Sequence, residues 1–332
     1  MAAWCTVKPV TVGMGTQTAT VGLLAGLATG ALWALTFIAP LVSGPYSAFD
    51  LTVCRYVTFG VVSLMLVAPE GFAALRRLSK ADYQILVLLG FTGNVGYYLA
   101  LSLAVPLAGP PVVALVIGCL PVLMSVLGHR TSGLPLRRLM PALMVILFGL
   151  ALVNGVALLQ ARADGGGHGP LWGLLLAVGA LVLWSWYGMR NAAELAARPG
   201  LSPVTWTALT GIGTMIALLP LLVVGWLAHW SAVPAIGLAH GAWLRPVSAG
   251  LVLGVLSSWV ATWTWSIAAR ALPVSVAGQL IVFETIFALI YSATYARQLP
   301  SWSEVAGALM LVAGVGMALR VFAAAPDRGP TA

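Results

Sequence analysis

Apolar residues fall in ten long stretches, each close to the ~20 residues that carry a helix across the hydrocarbon core of a bilayer. They lie at about 22–42, 49–68, 83–104, 110–129, 139–158, 170–190, 203–226, 246–269, 273–295 and 303–322. Proline and glycine punctuate the joints, as at Gly44-Pro45, Pro110-Pro111, Gly169-Pro170 and Pro199-Gly200. The pattern predicts an all-α polytopic membrane protein. The first stretch is too long for a signal-peptide core and lacks a clear cleavage site, so it is expected to be a retained helix. The joints are too short for a soluble catalytic domain, which places function among the helices.

Composition agrees. Of 332 residues, 61% are hydrophobic and 7% charged, against about 25% charged in a soluble domain, and the mean hydropathy is +1.01. The net charge of +8 comes from 16 basic residues scattered between apolar runs. They form no contiguous groove, so the sequence argues against nucleic-acid binding. Membrane orientation explains them better. With the N-terminus inside, cytoplasmic segments hold Lys8, Arg76, Arg77, Lys80, Arg130, Arg137, Arg138, Arg190, Arg198, Arg270, Arg320 and Arg328. The outer loops then hold Arg162, Arg245 and Arg297. Both termini are therefore expected in the cytoplasm, in a bacterial-type inner membrane. Cys5, Cys54 and Cys119 form neither a CxxC nor an even framework, so no disulfide scaffold, metal site or cofactor is expected.

Ten spans divide into two sets of five, which must have opposite orientations because five is odd. Leu32-Trp33 recurs as Leu183-Trp184, Gly90 as Gly254, Ala104 as Ala268, and Gly149 as Gly314, at separations of 151 to 165 residues. The expected organisation is a cytoplasmic tail (1–21), a first five-helix repeat (22–158), a glycine-rich outer loop (159–169), an inverted second repeat (170–322) and a cytoplasmic tail (323–332). Inverted repeats suit alternating access, since exchanging the conformations of the halves moves an opening from one face to the other.

Several runs have a familiar order. Leu99-Ala100-Leu101-Ser102-Leu103-Ala104 ahead of Pro121-Val122-Leu123 resembles the third and fourth helices of the drug/metabolite transporter superfamily. Ala268 to Ser275, followed by Phe283-Glu284-Thr285-Ile286-Phe287-Ala288, resembles the entry to and course of its ninth helix. Arg55 sits where these proteins often carry an arginine in the second helix, and Gly307 to Gly314 resembles their glycine-punctuated last helix. The resemblance covers residues 22–322 in the EamA-type two-repeat pattern. Thr285 replaces a frequent proline, and the charged stretch before the last helix is reduced to Arg297-Gln298-Leu299-Pro300. Within the superfamily, the many aromatics and few charges look similar to the aromatic amino-acid exporters of the YddG type.

Glu284 is the one carboxylate in the middle of a predicted span. An acid at the bilayer centre costs about 2.5–3.5 kcal/mol on insertion scales. It is expected to meet a substrate ammonium or exchange protons; the plainer reading is a neutral acid bonded to a neighbouring helix. Its helical face carries Phe287, Ala288 and Tyr291. Asn94, Tyr97 and Tyr98 line one stripe of the third span, and lining a wet cavity competes there with interhelical bonding. Trp184 and Tyr187, and the pair Trp259 and Trp263 at i,i+4, offer aromatic faces for a planar or cationic group, against simple packing. Gly22, Gly26 and Gly30 make a close-packing stripe. Pro121 supplies a bend, either a gate or a static kink. Arg55 is expected to snorkel near a helix end, paired with Asp50 or acting as a gate.

The glycine-rich run from Asp164 to Gly169 lacks the Lys-Ser/Thr of a phosphate loop. His129, His168, His229 and His240 stand apart, without the convergent groups an intramembrane enzyme needs. The expected function is a secondary transporter, not an enzyme, exporting small amphipathic metabolites, amino acids and aromatic ones among them, by alternating access. Its partners are a small-molecule substrate and the lipid bilayer. Efflux of cationic drugs by the same fold, a passive channel and an intramembrane enzyme are the alternatives.

Overall fold

In the computed structural model of the chain, residues 16–42, 46–69, 72–108, 110–132, 136–163, 169–236 and 243–323 are described. Among them, nine helices are long and apolar enough to cross a membrane, and a shorter apolar helix covers Val112–Leu127. In chain order these are α1 (Thr16–Val42), α2 (Ala48–Val67), α3 (Lys80–Gly90, continued through Gly96–Ala108), α4 (Pro110–Ile117 and Leu120–Ser132), and α5 (Leu136–Ala163). They continue with α6 (Gly169–Ala197), α7 (Pro203–Leu227), α8 (Leu244–Val252, continued through Ala261–Ala271), α9 (Val274–Leu280 and Val282–Ala296) and α10 (Trp302–Ala323). No strand occurs among the described residues. The ends differ from expectation in two places: α1 begins inside the tail expected at 1–21, and α5 runs into the loop expected at 159–169. Hydropathy marks the hydrocarbon core, whereas the helical hydrogen-bond ladder continues beyond it wherever nothing breaks it. Trp4, Cys5, Lys8, Glu70, Asp164 to His168, His240, Asp327 and Arg328 lie outside the described residues.

Local chemistry starts the helices. Ser47 accepts from the Asp50 amide at 3.1 Å while the Asp50 carboxylate accepts from the Ser47 amide at 3.1 Å. Ser79 and Asp82 repeat this reciprocal cap on α3. Ser202 caps α7, with Pro203 preset for its first turn.

Four spans depart from a regular ladder, and they do so in two matched pairs. π-helical turns interrupt α3 at Phe91–Val95 and α8 at Leu253–Val260. Helix α4 breaks at Gly118 and Cys119, and α9 breaks at Ile281. The sequence separation of these irregularities is close to that of the Gly90–Gly254 match.

Side-by-side contacts have the same two-fold character. α5 packs on α10, α2 on α7, and the second half of α4 crosses the first half of α9. α3 lies on α6 as α1 lies on α8, and α3 on α7 as α8 lies on α2. Glycine makes several of these approaches possible. A Cβ on Gly149 would sit 2.8 Å from the Gly307 carbonyl oxygen, and one on Gly90 would sit 2.5 Å from the Thr214 amide nitrogen. The Gly22, Gly26 and Gly30 stripe of α1 faces Ala271 and Leu272 at the end of α8, then Leu280, then Phe283 and the Glu284 backbone. Small residues let helices approach where lipid gives no hydrophobic drive to do so.

Candidate functional site

The ends of the bundle are tied by polar contacts. At one end, Arg198 reaches Asp82 at 2.5 Å and also pairs with Glu194, which pairs with Arg190. Arg270 donates to the Leu201 carbonyl at 2.7 Å. Burial works against the Arg198 charge, but hydrogen bonds and charge from Asp82 and Glu194 outweigh it and raise its pKa above the ordinary value. At the other end, Asp50 accepts from Ser231 Oγ at 2.6 Å and from the Ala232 amide at 2.9 Å.

Between these ends, Glu284 occupies the first turn of the second half of α9, three residues beyond the break. Its amide still bonds to the Ile281 carbonyl at 2.9 Å. Its half-buried carboxylate makes no hydrogen bond or ion pair among the described residues. It does lie within electrostatic reach of Arg55 and Tyr97. Gly30 allows α1 to pass directly against this turn: a Cβ there would lie 3.1 Å from the Glu284 nitrogen.

Arg55 differs from its expected role. It is 6% exposed and does not pair with Asp50, whose oxygens are taken by Ser47, Ser231 and the Ala232 amide. Its Nε donates to Ser258 Oγ at 2.8 Å and Nη2 to the Ser257 carbonyl at 3.4 Å. Gly250 and Gly254 bring α8 onto α2 at Cys54, Arg55 and Thr58. Ser257 and Ser258 both lie within the π-helical turn of α8, where the ladder register changes. The guanidinium carbon lies 5.2 Å from the Tyr56 ring centroid and 5.6 Å from that of Tyr98, the two rings standing edge to face.

The other expected residues divide into groups. Tyr97 and Tyr98 are half-buried, Tyr98 against Arg55 and Tyr97 in reach of Glu284. Trp259, like Tyr98, packs against the buried cluster that holds Tyr56, and its ring lies 6.1 Å from that of Trp263, with its buried Nε1 unpaired. Tyr291 donates to the Ala31 carbonyl at 3.2 Å, tying α9 to α1. Asn94 is buried and donates to Thr214 Oγ1 at 3.2 Å, an interhelical bond from α3 to α7. Trp184 and Tyr187 are buried in a knot with Trp33 and Trp265, whose indoles stand 5.4–5.6 Å apart. Pro121 is the second residue of the second half of α4, and its carbonyl accepts from Gln279 Nε2 at 3.1 Å where α4 crosses α9.

Sequence reasoning missed Arg55 as the charged neighbour of Glu284, and it missed Gln279. Arg55 carried a readable signal, a charge inside an apolar span beside no acid on its own helical face. Gln279 had only its place in an otherwise apolar run. Among the described residues, no three of His, Cys, Asp and Glu gather where they could hold a metal ion. The arrangement offers binding chemistry: one acid, one base and phenolic rings, with the interrupted helices α3, α8 and α9 contributing.

Comparison with known proteins places this arrangement. The chain is 33% identical over 311 residues to the inner membrane protein YtfF of Escherichia coli (strain K12), covering 90% of this chain and 95% of that protein. It also shares its fold with a solved crystal structure, at 21% identity and a TM-score of 0.69, over 90% of this chain and 96% of that one. Residues 171–320 match the EamA-like transporter family. With broken helices around a charged interior, and a relative matched from end to end, the chain belongs to the EamA-like family of drug/metabolite membrane transporters, which move a small molecule through the lipid bilayer.

Proposed function

We propose that this transporter exports small amphipathic metabolites, amino acids and aromatic ones among them, by alternating access between two inverted five-helix repeats, residues 22–158 and 170–322. The segment 159–169, whose first residues continue α5, joins them on the outer side. The tails, 1–21 and 323–332, lie in the cytoplasm, and the membrane is the inner membrane, as in the name of the relative from Escherichia coli. The two-repeat reading is supported by the matched irregularities of α3 with α8 and of α4 with α9. It is supported too by contacts that map onto one another when the two sets of five are exchanged. The basic residues favour the orientation.

The observation that carries the reading is Glu284. It is a carboxylate unpaired among the described residues, just beyond a break in α9, beside a glycine-lined contact with α1 and within electrostatic reach of Tyr97. A charge left without a protein partner inside a membrane marks a ligand path. The carboxylate suits a substrate ammonium, and the Tyr97 phenol in its reach suits an apolar or planar side chain. Asn94, Tyr97, Tyr98, Trp259, Trp263 and Tyr291 are proposed to line the path with it. Trp184 and Tyr187, sealed in the aromatic knot, are proposed to hold the helices together beside the path. Pro121 and the stripe of Gly22, Gly26 and Gly30 sit where the halves would slide.

Flux from proteoliposomes tests this. Saturable transport of L-phenylalanine, with counterflow driven by accumulated phenylalanine, is expected. Transport of an organic cation without phenylalanine would replace amino-acid export with drug efflux. Non-saturable leakage of both would replace the carrier with a channel.

A further inference from the structure

We infer that Arg55 is the carboxylate anchor of the transport site, so that the site selects a zwitterion over a cation of the same size. The inference rests on the proposed export of amino acids and deepens it. A buried arginine in a membrane helix ordinarily has an acid beside it, because an uncompensated charge there is expensive. Arg55 has none: the ion pairs among the described residues are Arg190–Glu194, Arg198–Glu194 and Arg198–Asp82. Asp50, the acid nearest in sequence, is committed to Ser47, Ser231 and Ala232.

What Arg55 does have is a mount. Ser258 and the Ser257 carbonyl take the Nε side, and Tyr56 and Tyr98 hold the guanidinium by their faces. Nη1 bonds to no described residue, and it is not among the sealed, unpaired buried atoms. The Nη1–Nη2 edge is thus left as a fixed fork, the shape that binds a carboxylate through two parallel hydrogen bonds. Glu284 lies within electrostatic reach but makes no ion pair with it. No ion pair joins the two among the described residues, so neither charge is taken by the other, and a molecule bearing the complementary pair can meet both, with its carboxylate on Arg55 and its ammonium toward Glu284.

The test compares L-phenylalanine with phenethylamine, which lacks the carboxylate, by equilibrium binding and by inhibition of phenylalanine flux in proteoliposomes. Arg55→Gln should weaken phenylalanine about tenfold or more, the scale of hydrogen bonds to a charged group, while phenethylamine changes less than about twofold. Arg55→Lys, which keeps the charge but loses the fork, should fall between. Equal losses for both ligands would assign Arg55 to the framework, and no loss for either would remove it from the site; each overturns the inference. Should Arg55→Gln fail to fold, the wild-type protein still decides. Phenylalanine should compete about tenfold better than its methyl ester, and equal competition overturns the anchor. If wild-type protein transports phenylalanine but Arg55→Gln keeps the ratio of the two ligands, the anchor alone falls. If it moves no amino acid, the proposed export falls first and the anchor with it.

Discussion

Two aromatic clusters share the interior of the bundle, and they are built for different work. In the first, Trp33, Trp184, Trp265 and Tyr187 from α1, α6 and α8 bury their rings against one another. Trp265 and Tyr187 are 1% and 2% exposed, and Gly93 lets α3 lie flat on the Tyr187 ring. In the second, Tyr56 and Tyr98 flank the Arg55 guanidinium, Trp259 packs on the cluster that holds Tyr56, and Glu284 and Tyr97 are in electrostatic reach. The first is a close-packed joint between the two sets of five helices. The second surrounds a charge that has no acid of its own. Aromatic content alone therefore does not distinguish the two clusters; the unpaired polar group does, and such a group inside a membrane is the feature on which the proposed path rests.

Substitutions in the two clusters should separate their roles, with the largest effect in the first. Trp265→Ala removes a fully buried indole and should cost about 3–5 kcal/mol of stability, read as a lower melting temperature of the detergent-solubilised protein. Residual protein should keep its KM for phenylalanine within about twofold. A large rise in KM instead would move the knot into the binding site. Next, Gly30→Leu forces a side chain into the backbone of the Glu284 turn, with an expected overpacking cost of about 1–3 kcal/mol and loss of flux from displacement of α1. Unchanged flux in that variant would show that α1 is not part of the path. Tyr98→Ala should follow, raising KM several-fold with little change in melting, the reverse of Trp265→Ala. The smallest effect is expected at the end of the bundle. Asp82→Asn breaks a partly exposed ion pair worth about 0.2–1 kcal/mol and should leave KM alone. A changed KM there would make the charged end a gate.

The helices were readable because hydrocarbon imposes a length and forbids unpaired backbone within it. The same regularity explains where the reading failed. Breaks at Gly118-Cys119 and Ile281 occur inside continuous apolar runs, where hydropathy has no contrast. Glu284 stood out because a lone acid in such a run is rare. Arg55 is equally visible, but near a helix end it reads as a snorkelling side chain, since its burial depends on Gly250 and Gly254 bringing another helix onto it. Asn94 and Tyr98 share a stripe in sequence yet part company in space: Asn94 bonds to Thr214 on α7, and Tyr98 turns to Arg55. Spacing along one helix fixes a face, but the neighbour on that face is a matter of tertiary packing. The tryptophans show the same limit, because periodicity does not distinguish a sealed knot from a cavity wall.

The central claim is that an amino acid crosses between the helices at Glu284. Counterflow of labelled L-phenylalanine in proteoliposomes, for wild-type protein and for Glu284→Gln, tests it most directly. Wild-type protein should show saturable, trans-accelerated exchange. The variant, folded by its melting curve, should lose it by about tenfold or more, together with any dependence on pH if the same carboxylate carries a proton. Undiminished exchange in the folded variant would contradict the account.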